Sequence, residues 1–217
     1  MSLRVPIFPL PNTVFFPHTT LPLHIFEPRY RQMVADRVAG DKCLAVVLLK
    51  PGWEADYYGR PPVCRVAGAG EITQWERLPD GRYNILLRGT GRIVIEGEVR
   101  AEKLYRIAAA RWLEDAYPAG GERELAPQLE PLRLAFGQLL SGLSRPIPKL
   151  LDVLTDRDSP AAVVDRIAAA VVGEAELRQR LLEEPNVEAR IGEVTRYLRT
   201  LLAARGERDP RWQAKWN

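Results

Sequence analysis

From Val5 to Phe26 the chain carries no formal charge, yet it is cut by Pro6, Pro9, Pro11, Pro17 and Pro22. A run this apolar raises the question of a signal or membrane helix. Proline inside a helix removes a backbone donor and clashes with the preceding turn, and no small-residue cleavage site follows. The segment therefore reads as short extended pieces, residues 4–10 and 20–26, with each proline confined to a sheet edge, a bulge or a bend. Pro28 then suits the first position of a helix after Glu27, with Tyr30, Met33, Val34 and Val38 along one face and Gly40 as its stop.

From residue 43 to about 114 the periodicity is that of sheet. Residues 44–49 form a continuous apolar run and predict a central strand. The stretches 63–67, 71–78, 83–88, 92–99 and 105–113 are rich in β-branched and aromatic residues and predict further short strands. Pro79-Asp-Gly-Arg82 is a turn between two of them, and Gly68, Gly89, Gly91 and Gly97 are expected to mark strand corners. Several short strands in about 110 residues suggest a small, partly closed β-barrel.

Beyond Tyr117-Pro-Ala-Gly-Gly121 the pattern turns helical. Leu125, Leu129, Leu132, Phe136, Leu139, Leu140 and Leu143 recur at helical spacing, and Ser144-Arg-Pro-Ile-Pro148 ends the run. Ser159-Pro160 opens a second helix whose buried stripe is Val164, Ile167, Ala168 and Val171. A short helix covers 174–183, and a longer one begins near Asn186 with Ile191, Val194, Leu198 and Leu201 on one face. The expectation is an α+β chain: barrel over residues 1–117, helical bundle over 122–204, and a poorly ordered polar tail at 205–217.

Hydrophobic residues are 46% and charged residues 27% of the 217, which excludes a disordered or disulfide-stapled chain. The net charge of +3 is too balanced for a dedicated nucleic-acid binder. The basic excess lies in the barrel half, with 16 basic and 11 acidic residues up to Leu113 against 15 and 17 beyond it. Arg82, Arg88, Arg92, Arg100, Arg106 and Arg111 carry that excess, either as outward strand positions or as a backbone-binding face. Cys43 and Cys64 sit among apolar residues and read as buried thiols of a reducing compartment. With His18 and His24 they make only a weak zinc candidate, because no two ligands have the close spacing of structural zinc sites.

The decisive residues are Pro6-Ile-Phe-Pro-Leu-Pro-Asn-Thr-Val-Phe-Phe-Pro17 and Leu21-Pro-Leu-His-Ile-Phe-Glu-Pro-Arg-Tyr30. They resemble the amino-terminal substrate-recognition domain of the Lon protease family. The likeness continues through Leu78-Pro-Asp-Gly-Arg-Tyr83 and Leu87-Arg-Gly-Thr-Gly-Arg92, and more weakly through Leu181-Leu-Glu-Glu-Pro-Asn-Val-Glu-Ala-Arg190. It covers about residues 4–204 and is nearest to stand-alone bacterial proteins made of this domain. The resemblance implies a PUA-like barrel followed by a helical subdomain. Phe8, Pro9, Leu10, Pro17, Leu21, Pro22, Leu23, Phe26, Glu27, Arg29 and Tyr30 are the motif positions and read as structural. Glu27 sits near a positive helix start, and Arg29 is expected to bond loop carbonyls.

No Gly-Lys dipeptide is present to build a phosphate loop, and none of Ser2, Ser141, Ser144 and Ser159 lies in Gly-x-Ser-x-Gly. The chain therefore reads as a non-catalytic module without metal or cofactor, in the cytoplasm, engaging unfolded or exposed apolar polypeptide, with a protease or chaperone as a further partner. The alternative is RNA binding through the basic barrel face. Candidate contact residues are Trp53, Tyr57 and Tyr58 in the Gly/Pro-rich loop 51–62, where large rings offer contact area at low entropy cost. Phe15, Phe16 and Trp75 stand second.

Overall fold

A computed structural model describes residues 3–142 and 158–206 of the chain. Two compact units emerge: the described parts of Met1–Glu114 with Gly173–Pro185, and of Asp115–Val172 with Asn186–Asn217. The sequence assigned all of 122–204 to the helical part, whereas the short helix near 175 groups with the barrel.

In the first unit, strands β1 (Leu3–Leu10), β2 (Thr20–Ile25), β3 (Cys43–Leu48), β4 (Val66–Arg77), β5 (Tyr83–Val99) and β6 (Arg106–Leu113) form one sheet in the order β2-β5-β4-β3-β1-β6. A further β5–β6 pairing closes five of these strands into a ring and leaves β2 on the edge. Four predicted short strands are in fact two long ones. Residues 63–67 and 71–78 are served by β4, and 83–88 and 92–99 by β5, each bent by register shifts at Ala69/Gly70, Ile72/Gln74 and Ile95/Gly97.

The glycines expected at corners lie inside these strands for a different reason. A Cβ on Gly68 would stand 1.8 Å from the Phe15 carbonyl oxygen, and one on Gly89 would stand 2.2 Å from that of Phe16. The segment around Phe15 and Phe16 passes so close to the sheet that only glycine fits beneath it.

Pro22 sits on the edge strand, as a missing donor requires. β1, by contrast, has neighbours on both sides. It pairs with β6 only over Leu3–Ile7 and with β3 only over Ile7–Leu10. Pro6 and Pro9 are thus each in a one-sided stretch, which lets an interior strand carry two prolines.

Alternate strand residues build two cores. Val5, Ile7, Ala45, Val47, Ala67, Ala69, Ile93, Ala108 and Ala110 come from all five ring strands. Their small side chains suit a narrow closed ring. On the opposite face, Phe8, Leu44, Val46, Ile72, Ile85 and Leu87 pack with Met33 and Val34 of α1 (Pro28–Val38). Pro28 opens that helix and Ala39 and Gly40 close it, as the sequence predicts.

In the second unit, α2 (Ala126–Ser141), α3 (Pro160–Val171) and α5 (Val187–Gly206) bury Leu132, Phe136, Ile167, Ile191, Val194 and Leu198. Ser159 caps α3, its hydroxyl accepting from the Ala162 amide at 3.3 Å. Arg190 is 1% exposed and pairs at 2.5 Å with both Asp165 and Asp115. The arginine of the weakest matching motif is thus a buried cation of this unit. α4 (Ala175–Glu183) belongs to the barrel unit, where Gln179 donates to Val66 O at 3.0 Å and buried Arg92 donates to Leu182 O at 3.1 Å.

The tail at 205–217, apart from the end of α5, lies outside the described residues, as do Leu143 and 144–148. Among the described residues no helix is long and apolar enough to cross a membrane. Cys43 and Cys64 are free thiols, one exposed and one half-buried, where the sequence suggested burial. They flank strand ends rather than fill the core.

Candidate protein-binding groove

Three segments of the barrel unit meet beside Pro9: the first turn of α1, the loop 51–62, and the turn before β6. Together they line a groove of about 240 Å³ walled by Arg29, Tyr30, Tyr58, Arg60, Leu104 and Arg106.

The loop is held by the motif residues. Pro51-Gly52 carries the chain through a left-handed turn at Gly52 (φ 86°) into a 3₁₀ turn over Trp53–Asp56. The Tyr57 hydroxyl then donates to Glu27 Oε1 at 2.8 Å, and Arg29 Nε donates to Glu27 Oε2 at 3.0 Å. The Arg29 guanidinium also faces the Tyr57 carbonyl oxygen and lies over two rings, 4.7 Å from the centre of Tyr30 and 5.2 Å from that of Tyr57. Burial first, and then the bond to Glu27, push the Tyr57 hydroxyl above its usual pKa. Glu27 stands at the N-cap of α1 and its carboxylate binds both Arg29 and the Tyr57 hydroxyl, which pins the loop.

Arg106 anchors the other wall. Its guanidinium makes a two-pronged bond to Glu98 and donates to Pro61 O at 2.9 Å, and Arg60 reaches the same Glu98 at 3.1 Å. The hydrogen bonds from Arg106 hold Glu98 below the ordinary carboxylate range. On the turn, Lys103 and the Tyr105 hydroxyl both bond Asp36 of α1, at 2.8 and 2.7 Å. The groove is therefore built on fixed side chains.

The structure sorts the candidate residues. Tyr58, 87% exposed, and Leu104, 65% exposed, both line the groove. Trp53 packs edge-on against Tyr57 and supports it from outside the groove. Trp75 is half-exposed under the Lys42 ammonium, away from the groove. Phe15 and Phe16 are buried, which corrects their place as contact residues: they fill the space beneath the strand glycines. Phe26, a motif position read as structural, is instead 60% exposed beside His24.

Leu104 and Arg60 also line the groove and were not among the sequence candidates. Leu104-Tyr105 in an otherwise charged turn between two strands was the available signal.

Five of the six arginines of the expected basic face are engaged elsewhere: Arg82 pairs with Asp80, Arg88 with Glu71, Arg106 with Glu98 and Arg111 with Glu96, and Arg92 is buried, while Arg100 is exposed. Among the described residues, no three of His, Cys, Asp and Glu gather as a metal site. His24 bonds Asn84 at 2.8 Å, and the His18 amide donates to Gly89 O at 3.1 Å.

A family model described as the ATP-dependent protease La (LON) substrate-binding domain matches residues 4–200. Lon protease 1 of Herpetosiphon aurantiacus is 28% identical over 199 residues, covering 83% of this chain and 23% of that protein. The Lon protease of Escherichia coli (strain K12) is 26% identical over 189 residues, covering 87% of this chain and 24% of that protein. The chain thus spans about a quarter of the length of the curated relatives it matches. The N-terminal domain of Mycobacterium avium complex Lon protease superposes with a TM-score of 0.67 at 18% identity, covering 90% of this chain and 98% of that one. A Lon N-terminal domain protein from Xanthomonas campestris gives 0.61 at 22% identity, covering 88% and 96%. At these identities the superpositions establish the α+β fold.

Proposed function

The chain belongs to the Lon substrate-binding domain family, and from that premise we propose that it works by binding polypeptide rather than by chemistry. It engages unfolded or exposed apolar segments in the cytoplasm and passes degradation-bound proteins to a protease or chaperone. The observation that carries this reading is the pair Tyr58 and Leu104, both mostly exposed, facing one groove whose walls are fixed by ion pairs.

The energetics suit transient sampling. Burial of one large apolar side chain contributes about 1.5–3 kcal/mol, so two contribute about 3–6 kcal/mol, an affinity of tens of micromolar or weaker. Such contacts accept many sequences and release them readily. RNA binding has less support, because five of the six arginines it needs are paired with carboxylates or buried.

The test is retention of a denatured client on the immobilised protein. Replacing Tyr58 and Leu104 together by Ser is expected to reduce retention at least fivefold with no change in the urea midpoint, since both side chains are largely solvated. Full retention by the double variant would move the binding surface elsewhere, to Trp75 or Phe26 first.

A further inference from the structure

We infer that the free edge of β2 takes an extended segment of client polypeptide as an added antiparallel strand, recognised through its backbone. This rests on the chain being a polypeptide binder, as proposed above, and names a second place, apart from the groove, where the polypeptide is held.

The phase of the β2–β5 ladder is the first observation. His18 (φ 61°) and Thr19 form a bulge opposite Gly89, the His18 amide donating to Gly89 O at 3.1 Å and the Gly89 amide to Thr19 O at 2.8 Å. Thr19 O therefore faces β5, and backbone direction alternates along an antiparallel strand. Leu21, Leu23 and Ile25 are then the residues that bond to Leu87, Ile85 and Tyr83, while Thr20, Pro22 and His24 turn their backbone groups out of the sheet. Among the described residues no other strand pairs with that side. It offers the N–H donors of Thr20 and His24 and the carbonyl acceptors of Thr20, Pro22 and His24.

The side chains are the second observation. Leu21 and Leu23 pack against the core that Met33 and Val34 of α1 fill, yet they are only partly buried. A sheet edge has no neighbour to close over them. An added strand sets its own alternate side chains beside Leu21 and Leu23, so apolar residues suit those two positions. On the other face Thr20, Pro22 and His24 are exposed and make no such demand. Backbone bonds supply the affinity and the two apolar positions the selectivity.

Pro22 decides between a client and a second copy. Pairing two β2 strands in full overlap about a two-fold axis puts Pro22 opposite Pro22, where neither supplies a donor. Six residues span about 20 Å, so that pairing buries on the order of 400 Å² in all, against the roughly 1,200 Å² of a stable association. A client residue opposite Pro22 keeps its own N–H and bonds the Pro22 carbonyl, one bond more than a second copy gives. The edge is thus guarded against self-pairing and open to ordinary chain.

The experiment measures fluorescence anisotropy of the whole protein with a labelled heptapeptide, blocked at both ends, in which three Thr alternate with two Val between terminal lysines. N-methylation of the central Thr is expected to weaken binding about fivefold, the net worth of one backbone bond, and N-methylation of a neighbouring Val less than about twofold. Pro22→Thr, which adds the missing donor at an exposed position, is expected to tighten binding about threefold to fivefold. The groove variant, Tyr58→Ser with Leu104→Ser, should leave the affinity for this peptide unchanged. Equal losses from the two N-methylations overturn backbone recognition. Loss of peptide binding in the groove variant puts the peptide in the groove and overturns the inference. A Pro22→Thr protein that binds no more tightly, whether or not it dimerises on sedimentation, overturns it as well. If no peptide binds while a denatured client is still retained, the edge inference fails and the polypeptide reading stands; if neither is held, both fall.

Discussion

The Tyr57 hydroxyl donates to Glu27 across thirty positions of chain, at 2.8 Å. Glu27 also holds Arg29 and opens α1, so a single carboxylate fixes the aromatic loop to the helix that forms the wall of the groove. Removing the hydroxyl should free the loop without dissolving the fold. In Tyr57→Phe the unfolding free energy is expected to fall by about 1 kcal/mol, the net value of a partly exposed bond to a charged group. Hydrogen exchange over residues 53–60 should accelerate at the same time. Unchanged exchange there would show that the loop is held by packing alone.

Burial raises the Tyr30 hydroxyl from 10.0 to about 12. Its stabilising contribution is therefore complete below pH 10 and is lost as the pH rises through about 12. At 1.36 kcal/mol per pH unit the loss is at most about 2–3 kcal/mol. Urea melts at pH 9 and pH 11.5 are expected to differ less in Tyr30→Phe than in the parent protein, by an amount of that order. Tyr105 and Tyr117, also raised to about 12, contribute to the common decline and remain in both proteins.

Arg190, Asp165 and Asp115 test the helical unit. Asp165 and Arg190 are each 1% exposed. Arg190→Met leaves Asp165 charged and buried, and is expected to destabilise by about 3–5 kcal/mol, as loss of one partner of a buried pair does. Adding Asp165→Leu should recover a substantial part, because two apolar side chains need no counter-ion. Urea unfolding followed by circular dichroism compares the two.

Gly68→Ala places a methyl group against the Phe15 carbonyl oxygen, a contact that backbone alone must relieve. A loss of about 3 kcal/mol or more is expected, at or above the upper end for overpacking. Gly97→Ala, with nothing within 4 Å of its Cβ, is the control and should stay within about 0.5 kcal/mol. Thermal midpoints of the two variants read the difference.

Client capture by apolar contact should depend weakly on salt. Between 50 and 200 mM salt, retention of a denatured client is expected to change less than about threefold, whereas six to ten phosphate contacts would lose about 10³–10⁵ in affinity. A steep salt slope would restore the RNA reading.

Much of this protein is legible in its residues. Proline punctuation, the shift from a two-residue to a helical period near Tyr117, and the Leu-Pro-Leu-His-Ile-Phe-Glu-Pro-Arg-Tyr run gave the α+β architecture and the family resemblance, because local backbone rules and side-chain alternation act over a few residues. Glu27 and Arg29 read as structural residues for the same reason, standing where an extended segment enters a helix. Other features exist only once distant segments meet. Gly68 and Gly89 look like corners until Phe15 and Phe16 pass over them, and Pro6 and Pro9 look like edge residues until β1 is seen to change partners at Ile7. Trp53, Tyr57 and Tyr58 are three rings in one loop, but a carboxylate thirty residues away decides that Tyr57 is a pin while Tyr58 stays exposed at the groove. Leu104 joins Tyr58 at one groove only because β5 and β6 close the ring and carry the turn between them to the start of α1. Burial and pairing belong to the three-dimensional neighbourhood, and no local pattern encodes who the neighbours are.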